Sequence, residues 1–414
     1  MGRVVTSLIA ASGLLAPRVR LGAQERLLGT RTLGVGAYAE SIVLRDGGVA
    51  QTVFAGRDSV RVTRASQLLL PVAATTAFGE AWRLDVTVFH AQGTVRYADA
   101  ASPAVTREAS LAGFSDTRVR LTGRPVGDAV TLTLGLNAPT GRGTLTPDEF
   151  SALRVLAAPA LGMGSAPVGA GASGTLGAVY GRQSGPWALA LGASYEHRGR
   201  YQPVAALVAG APSADFRPGG VVRASVGGER LVGAHRLNVT ASADFFSDDK
   251  LRVAAVRDDS LAAPSALATV RLGPVFSGDA QLQLAPGRLQ DVVVYSSYLW
   301  RAAYARDGRT AAGSSGHYVA GGARAAVPLA PGTALIVGSE GRWQSGLAVN
   351  EGLPTAGVQA LNFTLGLSAR RGLLTLQPYV RAQAGQLHQR AIDRATERRT
   401  FAGLSGGVVL ISRY

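Results

Sequence analysis

Few residues in this chain stand at spacings that could carry catalytic chemistry. Ser314-Ser-Gly-His317 places a hydroxyl three residues before an imidazole, the pairing a serine hydrolase uses. Acyl transfer also needs a base within reach of the hydroxyl, a group orienting that base and donors for the oxyanion. No neighbouring pattern supplies these, so the segment reads as a polar loop. The other histidines, His90, His197, His235 and His388, are scattered, with no two at metal-ligand spacing. Asp248-Asp249 and Asp258-Asp259 flank one stretch that also holds Lys250 and Arg252. Calcium needs several oxygens converging on one point, and a solvated loop is the simpler account. The chain has no cysteine, which removes thiolate nucleophiles and cysteine-based metal sites and fits an oxidising compartment. The expectation is no catalytic residue, no metal, no cofactor and no enzymatic activity.

A larger constellation is made of polar groups spaced along alternating segments. Arg83, Asp85, Arg118, Arg120, Glu196, Arg223, Glu229, Arg236, Asp244, Glu340, Arg342, Gln377, Arg381 and Gln383 all fall opposite an apolar face. Charges on such a face must pair or meet water. Two uses fit them: a packed network of paired charges that only stabilises the protein, or the lining of a polar path for a solute.

The elements that must position these groups are strands. Period-two alternation recurs from about residue 31 to the end, and helical periodicity is scarce. Arg118–Leu136 reads as a hairpin turning at Gly127-Asp128, and Thr175–Arg198 as one turning at Ser184-Gly185-Pro186. Three more turn at Gly233-Ala234, Pro331-Gly332 and Arg371-Gly372. Longer polar or Gly/Pro-rich stretches separate them at 140–169, 199–217, 248–263, 304–316, 346–356 and 386–398. Short turns alternating with long loops are the asymmetry of an outer-membrane barrel, with short turns in the periplasm. The last segment, Phe401–Tyr414, fits as well: Ala402, Leu404, Gly406, Val408, Leu410 and Tyr414 share one face, with Gly403, Ser405, Gly407 and Arg413 on the other. Trp82 and Trp187 follow short turns, while Trp300 and Trp343 sit near strand ends that enter long loops, as interfacial girdles require.

The expected fold is therefore all-β: a transmembrane antiparallel up-and-down barrel of about 16 strands, or 14, in the bacterial outer membrane. The choice between the two counts turns on 46–76, which holds a loop or an extra pairing, and on 274–303, where Ser277-Gly278-Asp279 reads as a turn and Pro286-Gly287 as a second candidate. Residues 1–23 resemble an export signal, with Arg3 ahead of the apolar stretch Val4–Ala16 and Ala23 before the cut. Residues 24–414 form the barrel. The net charge of +15 comes almost wholly from arginine, Lys250 being the only lysine. Because the arginines are spread singly, nucleic acid is not an expected partner. Expected partners are outer-membrane lipid and lipopolysaccharide, the barrel assembly machinery and a small-molecule solute. No oligomeric state follows from the sequence.

One helix is expected in the longest loop. Thr146 can cap it, Pro147 suits its first position, and Asp148 and Glu149 favour its positive end. Phe150, Leu153, Leu156 and Ala157 then make an apolar stripe, with Arg154 between them. Such a helix either caps the rim from outside, the more ordinary role, or folds inward and narrows the channel.

The stretch Ala112–Asp116 through Asn137-Ala-Pro-Thr-Gly141, with Gly162-Met-Gly164 and the segment Trp187–Tyr201, resembles outer-membrane transporters assigned to the meta-pathway of phenol degradation. Those carry a Gly-Asp strand start where this chain has Gly113-Phe-Ser-Asp116. The chain is more remotely similar to long-chain fatty-acid transporter barrels. The resemblance implies passive movement of small, often apolar or aromatic molecules across the outer membrane, and it assigns no binding residues. The residues themselves favour an outer-membrane channel, anion-biased if the lumen is open and suited to hydrophobic molecules if it is plugged. The alternative is a non-transporting, adhesin-like or structural barrel.

Overall fold

Period-two alternation buries only one face of a sheet, and in this protein the apolar face turns outward. A computed structural model describes residues 31–50, 60–78, 81–99, 104–127, 129–163, 169–204, 214–253, 266–284, 291–346, 357–390 and 396–413. The expected export signal at 1–23, Asp128, Gly164, Asp258-Asp259, Pro286-Gly287 and Tyr414 lie outside the described residues.

The first strands are β1 (Thr32–Ala50), β2 (Val60–Phe78), β3 (Trp82–Asp99), β4 (Thr106–Phe114), β5 (Thr117–Val126) and β6 (Val130–Ala138). The helix α1 (Pro147–Leu156) follows. Then come β7 (Ser173–Ser184), β8 (Trp187–Arg198), β9 (Tyr201–Val204), β10 (Ala214–Arg217), β11 (Val221–Val232) and β12 (His235–Phe246). Next are β13 (Asp249–Val253), β14 (Ala266–Arg271), β15 (Val275–Leu284), β16 (Asp291–Arg301), β17 (Ala305–Arg306) and β18 (Arg309–Thr310). The chain finishes with β19 (Gly316–Ala330), β20 (Thr333–Ser345), β21 (Gly357–Arg371), β22 (Leu374–Arg390) and β23 (Thr396–Arg413).

All pairings are antiparallel, and the ring closes where β1 meets β23 in unbroken register from Thr32↔Arg413 to Leu44↔Phe401. The main sheet has 17 segments. Two of them, β4 and β5, lie end to end along β3, and counting them as one stave gives a closed barrel of 16 strands. Closure of the ring is the condition lipid sets for a spanning sheet, and β4, among the described residues, is paired on its β3 side alone. Leu134, Leu136, Leu176, Leu191, Phe363 and Leu404 are exposed on the outer wall. A closed barrel with such a band belongs in a bacterial outer membrane.

The five expected hairpins form. Two of their turn glycines, Gly233 and Gly372, have φ of +61° and +59°, a conformation a Cβ would strain. One expected turn does not form. Ser277-Gly278-Asp279 lies inside β15, in register with both β12 and β16. Its polar side chains face the lumen and are satisfied there: Ser242 and Ser277 share a 2.7 Å hydroxyl contact, and Ser297 Oγ donates to Asp279 at 2.6 Å.

The long stretches are also less irregular than expected. A second, six-stranded sheet in the order β18-β17-β14-β13-β10-β9 has five strands within 199–217, 248–263 and 304–316, and its sixth, β14, just beyond the second of these. Its members continue the staves β8, β11, β12, β15, β16 and β19 after short interruptions at the long-loop end. Pro218, at one interruption, and Pro274, at another, cannot donate to a ladder. Arg198, at the junction, is buried and donates to Gly219 O at 2.6 Å and to Asp249 at 3.3 Å.

Candidate functional site: an internal plug and the lumen beside it

The helix start is built as its sequence predicts. Thr146 Oγ1 accepts from Glu149 N at 3.3 Å, and Glu149 Oε2 accepts from Thr146 N at 2.9 Å, a reciprocal cap. Arg142 grips the same carboxylate through two hydrogen bonds of 2.6 and 2.8 Å. Partial burial pushes the Glu149 pKa up, but the hydrogen bonds from Thr146 and Arg142 outweigh it and hold the carboxyl below its ordinary value.

The helix lies inside the barrel, not over the rim, which corrects the more ordinary expectation. Phe150, Leu153 and Leu156 are fully buried together with Leu145, Leu161 and Met163 of the flanking chain. They pack on Ile42 and Leu44 of β1, Val60 and Val62 of β2, Val95 and Tyr97 of β3, and Leu111 of β4. Val358, Leu387 and Phe401 close the cluster from β21, β22 and β23. The physical reason is that these staves are apolar on their inward positions at the long-loop end, so water cannot fill that part of the lumen. Gly93 leaves a notch for Leu156: a methyl group at that position would overlap Leu156 Cδ1. Of the expected constriction residues, Phe150 and Arg154 are buried in the plug, Glu149 caps the helix, and Asp148 is exposed in its first turn.

Both ends of the inserted loop are tied to the wall. At its base, Asp116 is buried in the interruption between β4 and β5. It accepts from Gly141 N at 2.9 Å, Ala170 N at 2.7 Å and Asn137 Nδ2 at 2.9 Å. The Thr140 side chain accepts from Thr117 N at 2.9 Å. The Pro139-Thr-Gly141 and Gly113-Phe-Ser-Asp116 stretches therefore meet, and their shared role is to pin the loop where it leaves and rejoins the wall. At the tip, Arg342 donates to the carbonyls of Pro159 at 3.2 Å and Ala160 at 3.0 Å, and Gln383 donates to Leu161 O at 3.0 Å. Beneath the tip lies a small cavity of about 10 Å³, roughly one water in size, edged by Glu40, Met163, Arg381 and Ser405.

The expected lumen residues divide into four groups. Arg83–Asp85 (3.0 Å) and Arg223–Asp244 (2.6 Å) are ion pairs, as is Arg236–Glu229. Arg381 pairs with Glu40 at 2.8 Å, a residue the sequence reasoning missed. Glu340 accepts from Tyr295 at 2.8 Å and Asn362 at 3.1 Å, while Gln377 donates to Ser368 at 3.3 Å. Arg342 and Gln383 serve the plug. Arg118, Arg120 and Glu196 line the wall on the other side of the lumen, on β5 and β8, where Arg120 is exposed and the Arg223 side chain is 51% exposed. The lumen thus has a filled side along β1–β4 and β20–β23, which reaches β9 where Leu145 N donates to Pro203 O at 3.2 Å, and a solvated side along β5–β8, β11 and β12.

The candidate chemistry outside the lumen is engaged elsewhere. Ser314 Oγ donates to Ala311 O at 2.7 Å, and His317 Nδ1 meets Tyr298 OH at 2.9 Å on the outer face. Asp248 is held by Arg271 at 2.6 Å, which lowers its pKa, and Asp249 is held by Arg198.

No protein-family model matches the chain, and no curated protein matches it. Solved structures with a similar course include the TodX monoaromatic hydrocarbon channel, as a ΔS2 mutant (8% identity, 93% of this chain and 91% of that one, TM-score 0.47). Others are a FadL homologue of Pseudomonas aeruginosa (8%, 92% and 90%, TM-score 0.41) and a loop-L8 deletion of OmpT, an outer membrane protein of Vibrio cholerae (11%, 94% and 100%, TM-score 0.40). Scores of this size carry no argument, and the fold assignment rests on the ring of strand registers. The narrower resemblance to phenol meta-pathway transporters is not confirmed. The expectation of no enzymatic activity does not stand either: a closed barrel does not by its fold exclude an enzyme.

Proposed function

We propose that this barrel is a passive outer-membrane channel for small solutes, with an anion bias set by arginines on the solvated side of its lumen. The observation that carries the reading is the division of the lumen. The plug is fixed to one side, and the opposite wall keeps charged side chains in water. Guanidinium groups beside a water-filled path attract anions and repel cations over roughly a Debye length, about 10 Å at 0.1 M salt. Export through a leader at 1–23 and insertion by the barrel assembly machinery belong to the same reading.

The test is conductance of the purified full chain in planar bilayers under a KCl gradient. Stepwise currents with a reversal potential of anion sign support the proposal. A correctly folded barrel that passes no ions, or that selects cations, overturns it.

A further inference from the structure

Most inward-facing arginines discussed above have a defined partner. Arg83, Arg223, Arg236 and Arg381 are paired with carboxylates, and Arg342 with plug carbonyls. Arg118 and Arg120 differ. They stand two residues apart on the inward face of β5, and among the described residues no hydrogen bond or ion pair holds either one.

The charges of Asp116 and Glu196 reach Arg118, but among the described residues no carboxylate is in hydrogen-bonding contact with either guanidinium. Asp85 is the register partner of Arg120, yet its oxygens take Arg83 at 3.0 Å and Thr75 Oγ1 at 2.7 Å. Asp116 is filled by its three neutral donors. On the other side of β5 the wall is stripped of bulk. Arg120 is in register with Gly135, Gly135 with Thr175, and Thr175 with Glu196. The next inward row holds Thr133, Gly177 and Ser194. The two guanidiniums therefore border a bay whose floor is mostly backbone and hydroxyl, with Glu196 at its far edge.

We propose that this bay is a binding site for small monocarboxylates in transit. The solute carboxylate takes charge-assisted hydrogen bonds from Arg118 and Arg120, and its body lies over the Gly135–Thr175–Gly177 floor. Residues two apart on a strand are about 6.7 Å apart along its axis, a span that two long side chains can close on one anion. Glu196 repels a second carboxylate, so the site selects monocarboxylates over dicarboxylates. This inference rests on the channel reading above, but the site itself needs only the folded barrel.

The test is titration calorimetry of lactate and of succinate into the detergent-solubilised full chain, together with block of chloride current by lactate in bilayers. The expected result is saturable lactate binding that Arg118→Gln/Arg120→Gln weakens by about tenfold or more, the loss of a charge-assisted contact. Arg236→Gln leaves it unchanged. Glu196→Gln narrows the preference for lactate over succinate. Retention of heat-modifiable migration on gels shows that each variant is folded. Absence of lactate binding to the folded wild type, or binding that survives in the double variant, overturns the site. Calorimetric binding in a barrel that carries no current would sink only the channel reading.

Discussion

Gly93→Ala tests the seating of the plug without touching its sequence. Gly93 lies within β3, and an alanine there suits the strand, so the barrel wall tolerates it. The added methyl falls within the ~3.5–4.0 Å at which two carbon atoms rest, against Leu156 Cδ1. Leu156 is fully buried and cannot swing into water. Overpacking of this kind costs about 1–3 kcal/mol. Leu156→Ala alone costs about 2–5 kcal/mol, through lost burial and the void it leaves. When the two substitutions are combined, the methyl added by Gly93→Ala enters that void. The double variant should then be about 1–2 kcal/mol more stable than the sum of the single losses, inside the roughly 0.5–3 kcal/mol found for directly touching residues. Hydrogen exchange of the α1 amides reads this locally, and trypsin cleavage after the buried Arg154 gives a second readout. Strict additivity, or a Gly93→Ala variant with unchanged α1 protection, would refute the packing of Leu156 into the Gly93 notch.

The remaining predictions concern the ties of the loop. Asp116→Ala leaves three donors without their acceptor, each worth about 1–3 kcal/mol where buried. It should speed exchange at Gly141 and Ala170 while the β1–β23 amides stay protected. Arg342→Gln should release the Pro159–Ala160 tip and increase the conductance of the channel; unchanged current noise and step size would count against a latch there. For Glu149 the folded pKa lies below its ordinary value of about 4.3. Its contribution is complete above that ordinary value and is lost as pH falls through the lower folded one. Protection of α1 should decline over that acidic window in the wild type, and Glu149→Gln should flatten the dependence.

Local chemistry was legible in the sequence; distant partnerships were not. Turn glycines such as Gly233 and Gly372 announce their hairpins because the conformation needs no other part of the chain. The Thr146-Pro-Asp-Glu149 helix start is legible for the same reason. The inward position of α1 depends on β1–β4 and β21–β23 turning apolar side chains inward at one end, where Arg61, Arg96, Glu108 and Gln359 take the other face. Val60, Val62, Val95 and Phe401 carried that signal, but alternation alone treats them as strand interior. Ser277-Gly278-Asp279 misled because polar residues mark turns in water, whereas inside a barrel they mark the lumen. Arg381 and Glu40 stand at opposite ends of the chain and meet only because the ring closes. The second sheet was hidden in stretches rich in glycine, proline and charge, where pairing across staves decides the structure.

The most direct test of the account measures which side of the wall meets lipid. Spin labels at Leu134, Leu189 and Leu376, all exposed on the outer face, should collide with oxygen and be shielded from a water-soluble nickel chelate in bilayers. Labels at Thr133, Ser194 and Gln281, one face over on β6, β8 and β15, should show the reverse. Nickel access at the leucines, or shielding from both reagents, would mean that these side chains lie in water or in a dry protein interior, and the barrel account would fall.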